Sequence, residues 1–295
     1  MKKILFILTA LFSIYVQADE GQQNIATVDW TVTETLLALG ENPIAVGDIH
    51  SYRTWVMEPK LPEDTIDLGI RLQPNFEVIS MLSHDVKSQP LRFIHSQFYA
   101  GLNEKLSPYG RVYNVNFYQT GDLWQNVLAA TQEIAQIINK PQAAKKLITR
   151  YTSNIEKLRE RLIQHQSQFA ERPLAIVQFI DTRHLRIYGE NSLFGAVAKQ
   201  LGFQNAYLPE VNIWGFQNIE ITELAHLPQN TRFIVVKPYP NNIAQALTHN
   251  TLWQHLPLAK DALVLPAVWS FGGIPSAERF AQILTESLIH GGEAW

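Results

Sequence analysis

Between residues 141 and 170, apolar side chains recur at Ala144, Leu147, Ile148, Tyr151, Ile155, Leu158 and Leu162, with Lys145, Arg150, Glu156, Arg159 and Gln164 among them. Spacing of three and four is one stripe of an amphipathic helix. The run holds no glycine, opens on Pro141 at a first-turn position where a missing N–H is harmless, and is followed by its next proline only at Pro173. At 1.5 Å per residue such a helix is roughly 40 Å long. The pattern predicts a strut.

On either side of the strut, short apolar runs alternate with helical stripes. Strand-like runs at 26–28, 44–46, 66–71, 91–94 and 112–115 are interleaved with helical patterns at 31–39, 75–82 and 122–138. After the strut come strands at 174–180, 233–236 and 262–265, with helices at 192–201 and 276–289. Gly40 and Gly202 stand where a helix ends on a left-handed residue, and Ser192 stands where one is capped. Residues 52–62, broken by Pro59 and Pro62, are expected to be a loop, and Asp181-Thr182-Arg183-His184 a polar hairpin turn. The alternation is that of an α/β protein with a mainly parallel sheet. Two α/β lobes, 19–140 and 171–295, joined by the helix 141–170 are the architecture expected, against one large α/β domain with a long surface helix. A weak echo, Asn75-Phe76-Glu77-Val78 before Arg92-Phe93-Ile94 and Asn218-Ile219-Glu220-Ile221 before Arg232-Phe233-Ile234, suggests a duplicated unit.

The first residues change the compartment. Lys2 and Lys3, an apolar run over 4–16 and the small-residue site Val16-Gln17-Ala18 form a secretory signal over 1–18. An uncleaved anchor competes, but the run falls short of the ~20 residues that span a bilayer. No cysteine occurs among the 295 residues, which excludes disulfides and thiolate sites. An exported chain without disulfides fits a bacterial periplasm, as a soluble monomer. The net charge of −3 and the lack of any basic run argue against nucleic acid.

Catalysis finds little footing: no nucleophile elbow, phosphate loop, H-E-x-x-H pair or dinucleotide fingerprint is present, so no enzyme is expected. Two lobes on a helical strut also serve carriers of zinc and manganese. The histidines His50, His84, His95, His184 and His226 show no H-x-H spacing, however, so no metal site is assigned. Trp55, Tyr99, Trp214 and Trp269 fall beside Pro, Gly or Asn in both halves of the chain. With Arg71 they suit a cleft for a large, partly apolar ligand carrying oxygen acceptors, because arginine stays charged and donates several fixed hydrogen bonds. Each could also be an ordinary core or surface residue.

These residues carry a resemblance. Asp29-Trp30 with Glu34 to Gly40, Tyr52-Arg53-x-Trp55-Val56-x-Glu58-Pro59-x-Leu61-Pro62, and Asp67-x-Gly69-x-Arg71-x-x-Pro74-Asn75-x-Glu77 resemble the ferric hydroxamate-binding periplasmic proteins. Asn191 to Phe194, Asn212-x-Trp214-Gly215, Thr251 to Gln254 and Pro266 to Trp269 continue it over nearly the whole chain beyond the signal. The resemblance implies a two-lobed binding protein that holds a ferric siderophore in a shallow cleft and delivers it to an ABC permease. Arg71 and Tyr99 would hydrogen-bond hydroxamate oxygens, with Trp55, Trp214 and Trp269 as aromatic walls. Iron would enter only inside the siderophore, with no cofactor of the protein's own. His95 stands where the family has a tryptophan and Phe271 where it has a tyrosine, which points to a different hydroxamate or a mixed-donor ligand. The resemblance also implies docking on the permease through an acidic residue of each lobe: Glu104 stands at the first-lobe position, whereas Thr222 occupies the second-lobe position, flanked by Glu220 and Glu223, so that assignment stays open. The same architecture carrying a corrinoid, zinc or manganese is the alternative.

Overall fold

A computed structural model describes residues 23–85, 89–166 and 168–295. The secretory segment expected at 1–18 lies outside the described residues.

Two five-stranded sheets lie to either side of a set of central helices. The first sheet comprises β1 (Ile25–Thr27), β2 (Ala45–Val46), β3 (Ile66–Asp67), β4 (Leu91–Ser96) and β5 (Gly110–Val115), ordered β3-β2-β1-β4-β5. All four pairings are parallel, with Ala26 opposite Ala45 and Phe93. The second sheet holds β6 (Leu174–Phe179), β7 (His184–Tyr188), β8 (Phe216–Glu220), β9 (Arg232–Val236) and β10 (Leu263–Leu265), ordered β10-β9-β6-β7-β8. Here β10, β9 and β6 are parallel while β7 returns antiparallel through the polar turn at 181–183. Asp181 accepts from the backbone of Arg183 and His184, which fastens that turn.

Helices α1 (Trp30–Ala38), α2 (Ile49–Trp55), α3 (Phe76–Asp85), α4 (Asn103–Leu106) and α5 (Leu123–Ile137) connect the first sheet's strands and lead to α6 (Pro141–His165). Pro141 sits in the first turn of α6, and Ala144, Leu147, Tyr151, Ile155 and Leu162 form its buried stripe. The helix stops at His165, and residues 169–171 form a separate 3-10 turn, short of the continuous run to 170 that periodicity suggests. Helices α7 (Leu193–Leu201), α8 (Ile243–Thr248), α9 (Thr251–His255) and α10 (Ile274–His290) complete the chain. Ser192 caps α7, its Oγ accepting from the Gly195 N–H at 2.9 Å, and Gly202 ends it at φ 101°. Among the described residues no helix is long and apolar enough to cross a membrane.

One hydrophobic core runs through both halves. It joins Ile25, Ile94 and Val115 of the first sheet to Ile176, Ile234 and Leu265 of the second through the inner faces of α5, α6, α7 and α10. In β9, Ile234 and Val236 face that core while Phe233 and Val235 face a second apolar cluster, as expected of a strand covered on both sides.

Polar bonds reinforce the junction below the strand ends. Thr31 Oγ1 donates to Phe271 O at 2.6 Å and Tyr118 Oη to Gly272 O at 3.0 Å. The fully buried Glu34 on α1 accepts from the Gly273 N–H and from Ser276 Oγ, each at 2.5 Å. Helix α1 thereby holds the chain that runs from β10 into α10.

Two expectations need correction. Residues 52–55 continue helix α2, because Pro59 and Pro62 forbid helix only beyond that point, and Asp48 caps the helix by accepting from the Ser51 N–H at 3.1 Å. The echoed segments are not equivalent: 75–78 opens helix α3, whereas 218–220 lies in β8. Only the strands beginning near Arg92 and Arg232 correspond, so the echo does not mark a duplicated unit.

Candidate functional site

Every strand of the first sheet ends toward one cavity of about 540 Å³, and chain from the second sheet closes it. Ligands in parallel α/β sheets collect beyond the carboxyl ends of the strands, where loops can vary over a rigid frame. Asp29 and Trp30 follow β1, Asp48 follows β2, Arg71 follows β3, Tyr99 follows β4 and Tyr118 follows β5. The volume falls within the usual range for sites of small molecules.

Arg71 is held from several directions. The turn that carries it is pinned at Gly69, whose N–H donates to Asp67 Oδ1 at 2.8 Å and whose carbonyl accepts from the Asp48 N–H at 2.8 Å. Its guanidinium lies 3.6 Å over the Trp30 ring and 5.8 Å from Trp269. Nη1 donates to Tyr99 Oη at 2.9 Å. Trp30 is itself fixed, its Nε1 donating to Gly47 O at 2.9 Å. Burial pushes the Tyr99 phenol above its ordinary value, so it keeps its proton. Having accepted from Arg71, that hydroxyl retains its own proton for a ligand oxygen.

The aromatic walls come from both sheets. Trp55 ends α2, and Trp269 and Phe271 follow β10, where Trp269 stands edge-on to Trp30, Trp55 and Phe271 at 5.1, 6.4 and 5.3 Å. Trp214 sits in the turn before β8, 5.4 Å from Phe98 and 5.3 Å from Tyr118. That turn depends on Gly215 at φ 81°, where a Cβ would meet Ser192 Cα at 2.4 Å. Gly215→Ala is therefore expected to destabilise the protein by more than about 1 kcal/mol, through positive φ and the collision with the cap of α7. A melting curve with tryptophan emission as the probe checks this; an unchanged midpoint would contradict it.

Arg71, Tyr99, Trp55, Trp214, Trp269 and Phe271 thus line one cavity, and His95 does not. The pleat of β4 turns His95 to the face of Leu91 and Phe93, beneath α3. It is wholly buried, its Nε2 is 2.9 Å from Asn103 Oδ1, and burial lowers its pKa. Its ring packs 6.3 Å from that of Tyr99, so it supports the cleft from behind. Glu104 on α4, Glu220 at the end of β8 and Glu223 in the following 3-10 turn are exposed and do not line the cavity. Among the described residues no group of three His, Asp or Glu side chains could hold a metal ion.

Sequence reasoning missed Arg186, on β7 between the buried Leu185 and Ile187. Its guanidinium faces Phe216 at 5.0 Å and Phe271 at 5.7 Å, and it lines the cavity from the second sheet. A charge interrupting an apolar strand was the available signal. The cavity thus presents one arginine from each sheet. Its carboxylates, Asp29 and Asp48, already accept from helix-end N–H groups. Fixed cations, a phenolic proton and aromatic walls suit the chemistry of a bulky ligand rich in oxygen acceptors.

Comparison with known proteins agrees with this layout. The chain matches the periplasmic binding protein family over residues 25–264. It is 30% identical over 272 residues to the iron(3+)-hydroxamate-binding protein FhuD of Escherichia coli, covering 92% of this chain and 88% of the relative. The crystal structure of FhuD from Vibrio cholerae with bound Fe3+-Desferal superposes with a TM-score of 0.84 at 22% identity, over 92% of this chain and all of that one. The triscatecholate siderophore-binding protein FeuA from Bacillus subtilis gives a TM-score of 0.68 at 17% identity, over 97% of this chain and 98% of its own. A cleft between a parallel and a mixed sheet, a helical connector and similarity across nearly the whole described chain lead to one conclusion: this protein belongs to the periplasmic binding protein family.

Proposed function

We propose that the protein captures a ferric siderophore of the hydroxamate type in the cleft and delivers it to an inner-membrane ABC permease for iron uptake. The observation that carries this reading is Arg71, clamped between Trp30 and Tyr99 at the centre of an aromatic cavity. It presents a charge and a phenolic proton where the oxygens around a chelated iron would sit. The Escherichia coli relative, named for binding iron(3+) hydroxamate, supports the same ligand class. The siderophore fills the metal's coordination sphere, so the protein grips the outside of the complex and supplies no ligand to iron. Arg71 and Tyr99 bond the hydroxamate oxygens, and Trp55, Trp214, Trp269 and Phe271 cover the hydrocarbon. The protein is exported by its N-terminal signal, acts as a periplasmic monomer without a cofactor, and meets the permease through Glu104 and through Glu220 or Glu223.

Titration with a ferric trihydroxamate tests the proposal. Several tryptophans line the cavity and the iron complex absorbs light, so saturable quenching of tryptophan emission is expected at micromolar or lower concentration. The iron-free hydroxamate and zinc salts are the controls. Quenching by zinc or a corrinoid, with none by the ferric complex, would move the function to another ligand.

A further inference from the structure

Beside the main cavity lies a second hollow of about 360 Å³, and the two share Trp55 and Arg186 as walls. Gln178 and Phe179 at the end of β6 and Tyr239 after β9 line its far side. Gln178 is already engaged: its Nε2 donates to Pro238 O at 3.1 Å and its Oε1 accepts from Tyr188 Oη at 3.2 Å. Two donors are not. Arg186 Nε and Tyr239 Oη are both shielded from solvent with no hydrogen-bond partner. Arg186 makes no ion pair among the described residues, and no carboxylate lines this chamber.

A buried donor left unpaired is costly, and a guanidinium without a counter-ion more so. Such groups mark a place for an acceptor that the protein itself does not contain. The acceptor best matched to a guanidinium fork beside a phenol is a carboxylate, which takes two charge-assisted bonds at once. An ammonium group in the same place would face the Arg186 guanidinium with like charge.

We infer that this side chamber receives a carboxylate-bearing arm of the ferric siderophore, held by Arg186 and Tyr239, so that the protein selects complexes with an anionic arm over those with a cationic one. The inference rests on the siderophore reading and adds the charge of the ligand's periphery to it. The iron core stays over Arg71 in the main cavity while the arm passes Trp55 into the chamber.

Ferrioxamine B, whose free arm ends in an amine, and its N-succinyl derivative, whose arm ends in a carboxylate, share one iron core and test the arm alone. Quenching titrations should show the succinyl complex binding at least tenfold more tightly. Arg186→Gln should bring that ratio close to one, and Tyr239→Phe, which removes a single hydroxyl, should reduce it severalfold. Melting curves of both variants confirm that they fold. Equal affinity for the two complexes in the unmodified protein, or a ratio that survives Arg186→Gln, would overturn the inference and leave siderophore binding intact. Binding of neither complex would overturn both.

Discussion

Arg71→Ala is expected to weaken binding of a ferric trihydroxamate by about ten- to a hundredfold. A hydrogen bond to a charged donor contributes roughly 1.5–3 kcal/mol, and each ~1.4 kcal/mol is a factor of ten in affinity. The geometry favours the upper part of this range. The guanidinium is already stacked on Trp30 and bonded to Tyr99, so little side-chain entropy remains to be lost when a ligand arrives. Its removal also frees the Tyr99 hydroxyl, which then has no fixed partner to aim its proton. Arg71→Lys keeps the charge but not the planar fork or the stack, and should recover only part of the loss. Tyr99→Phe should cost less than Arg71→Ala, because it removes one neutral donor and leaves the cation in place. Tryptophan quenching measures all three. Affinity unchanged in Arg71→Ala would exclude Arg71 from contact with the ligand.

The parts of this site that were legible in the sequence are those where local rules and tertiary placement coincide. The stripe from Ala144 to Leu162 needs only helical periodicity, and it emerges as the buried face of α6. Ser192 and Gly202 mark the two ends of α7 by capping chemistry that operates within a few residues. Arg71 and the tryptophans stood out because large or charged side chains flanked by turn residues are poor candidates for structure alone. His95 shows where such reasoning fails. Whether a residue at the end of a strand faces the cleft or the helix layer behind it depends on a single step of the pleat, and that parity follows from where the neighbouring strand and helix pack. Arg186 failed in the opposite direction. It sits within an apolar strand, and only the antiparallel return of β7 carries it to the mouth of the first sheet. Contacts such as that of Thr31 with Phe271, 240 residues apart, have no local signature at all.

The strongest effect on folding is expected at Glu34. Burial pushes its carboxyl up to about 7, with hydrogen bonds from Ser276 and Gly273 opposing the rise and the nearby Asp29 adding to it. Tyr52, Tyr118 and Arg279 also face it electrostatically. In the unfolded chain its value returns to about 4.5. Between those two values the folded protein binds the extra proton, so stability should fall as pH rises from about 4.5 to about 7 and level off above. The whole change is on the order of 3 kcal/mol from this one group.

Glu34→Gln is expected to abolish that slope. The amide preserves the shape, with its oxygen accepting from the Gly273 N–H and its nitrogen donating to Ser276 Oγ, so it reproduces the protonated state at every pH. Subtracting its pH profile from that of the unmodified protein cancels other titrations, such as that of Asp181, held down at about 2 by hydrogen bonds from Arg183 and His184. Glu34→Ala instead leaves the Gly273 N–H and the Ser276 hydroxyl without a partner and opens a cavity, at a cost of about 2–4 kcal/mol. It should also weaken ligand binding, since Glu34 helps to hold the chain that presents Trp269 and Phe271 to the cleft. Denaturant unfolding of the three proteins from pH 4.5 to 8 distinguishes these effects. Parallel profiles for the unmodified protein and Glu34→Gln would show that Glu34 does not titrate across the junction. Converging profiles toward low pH would establish it as the protonated clasp between α1 and α10.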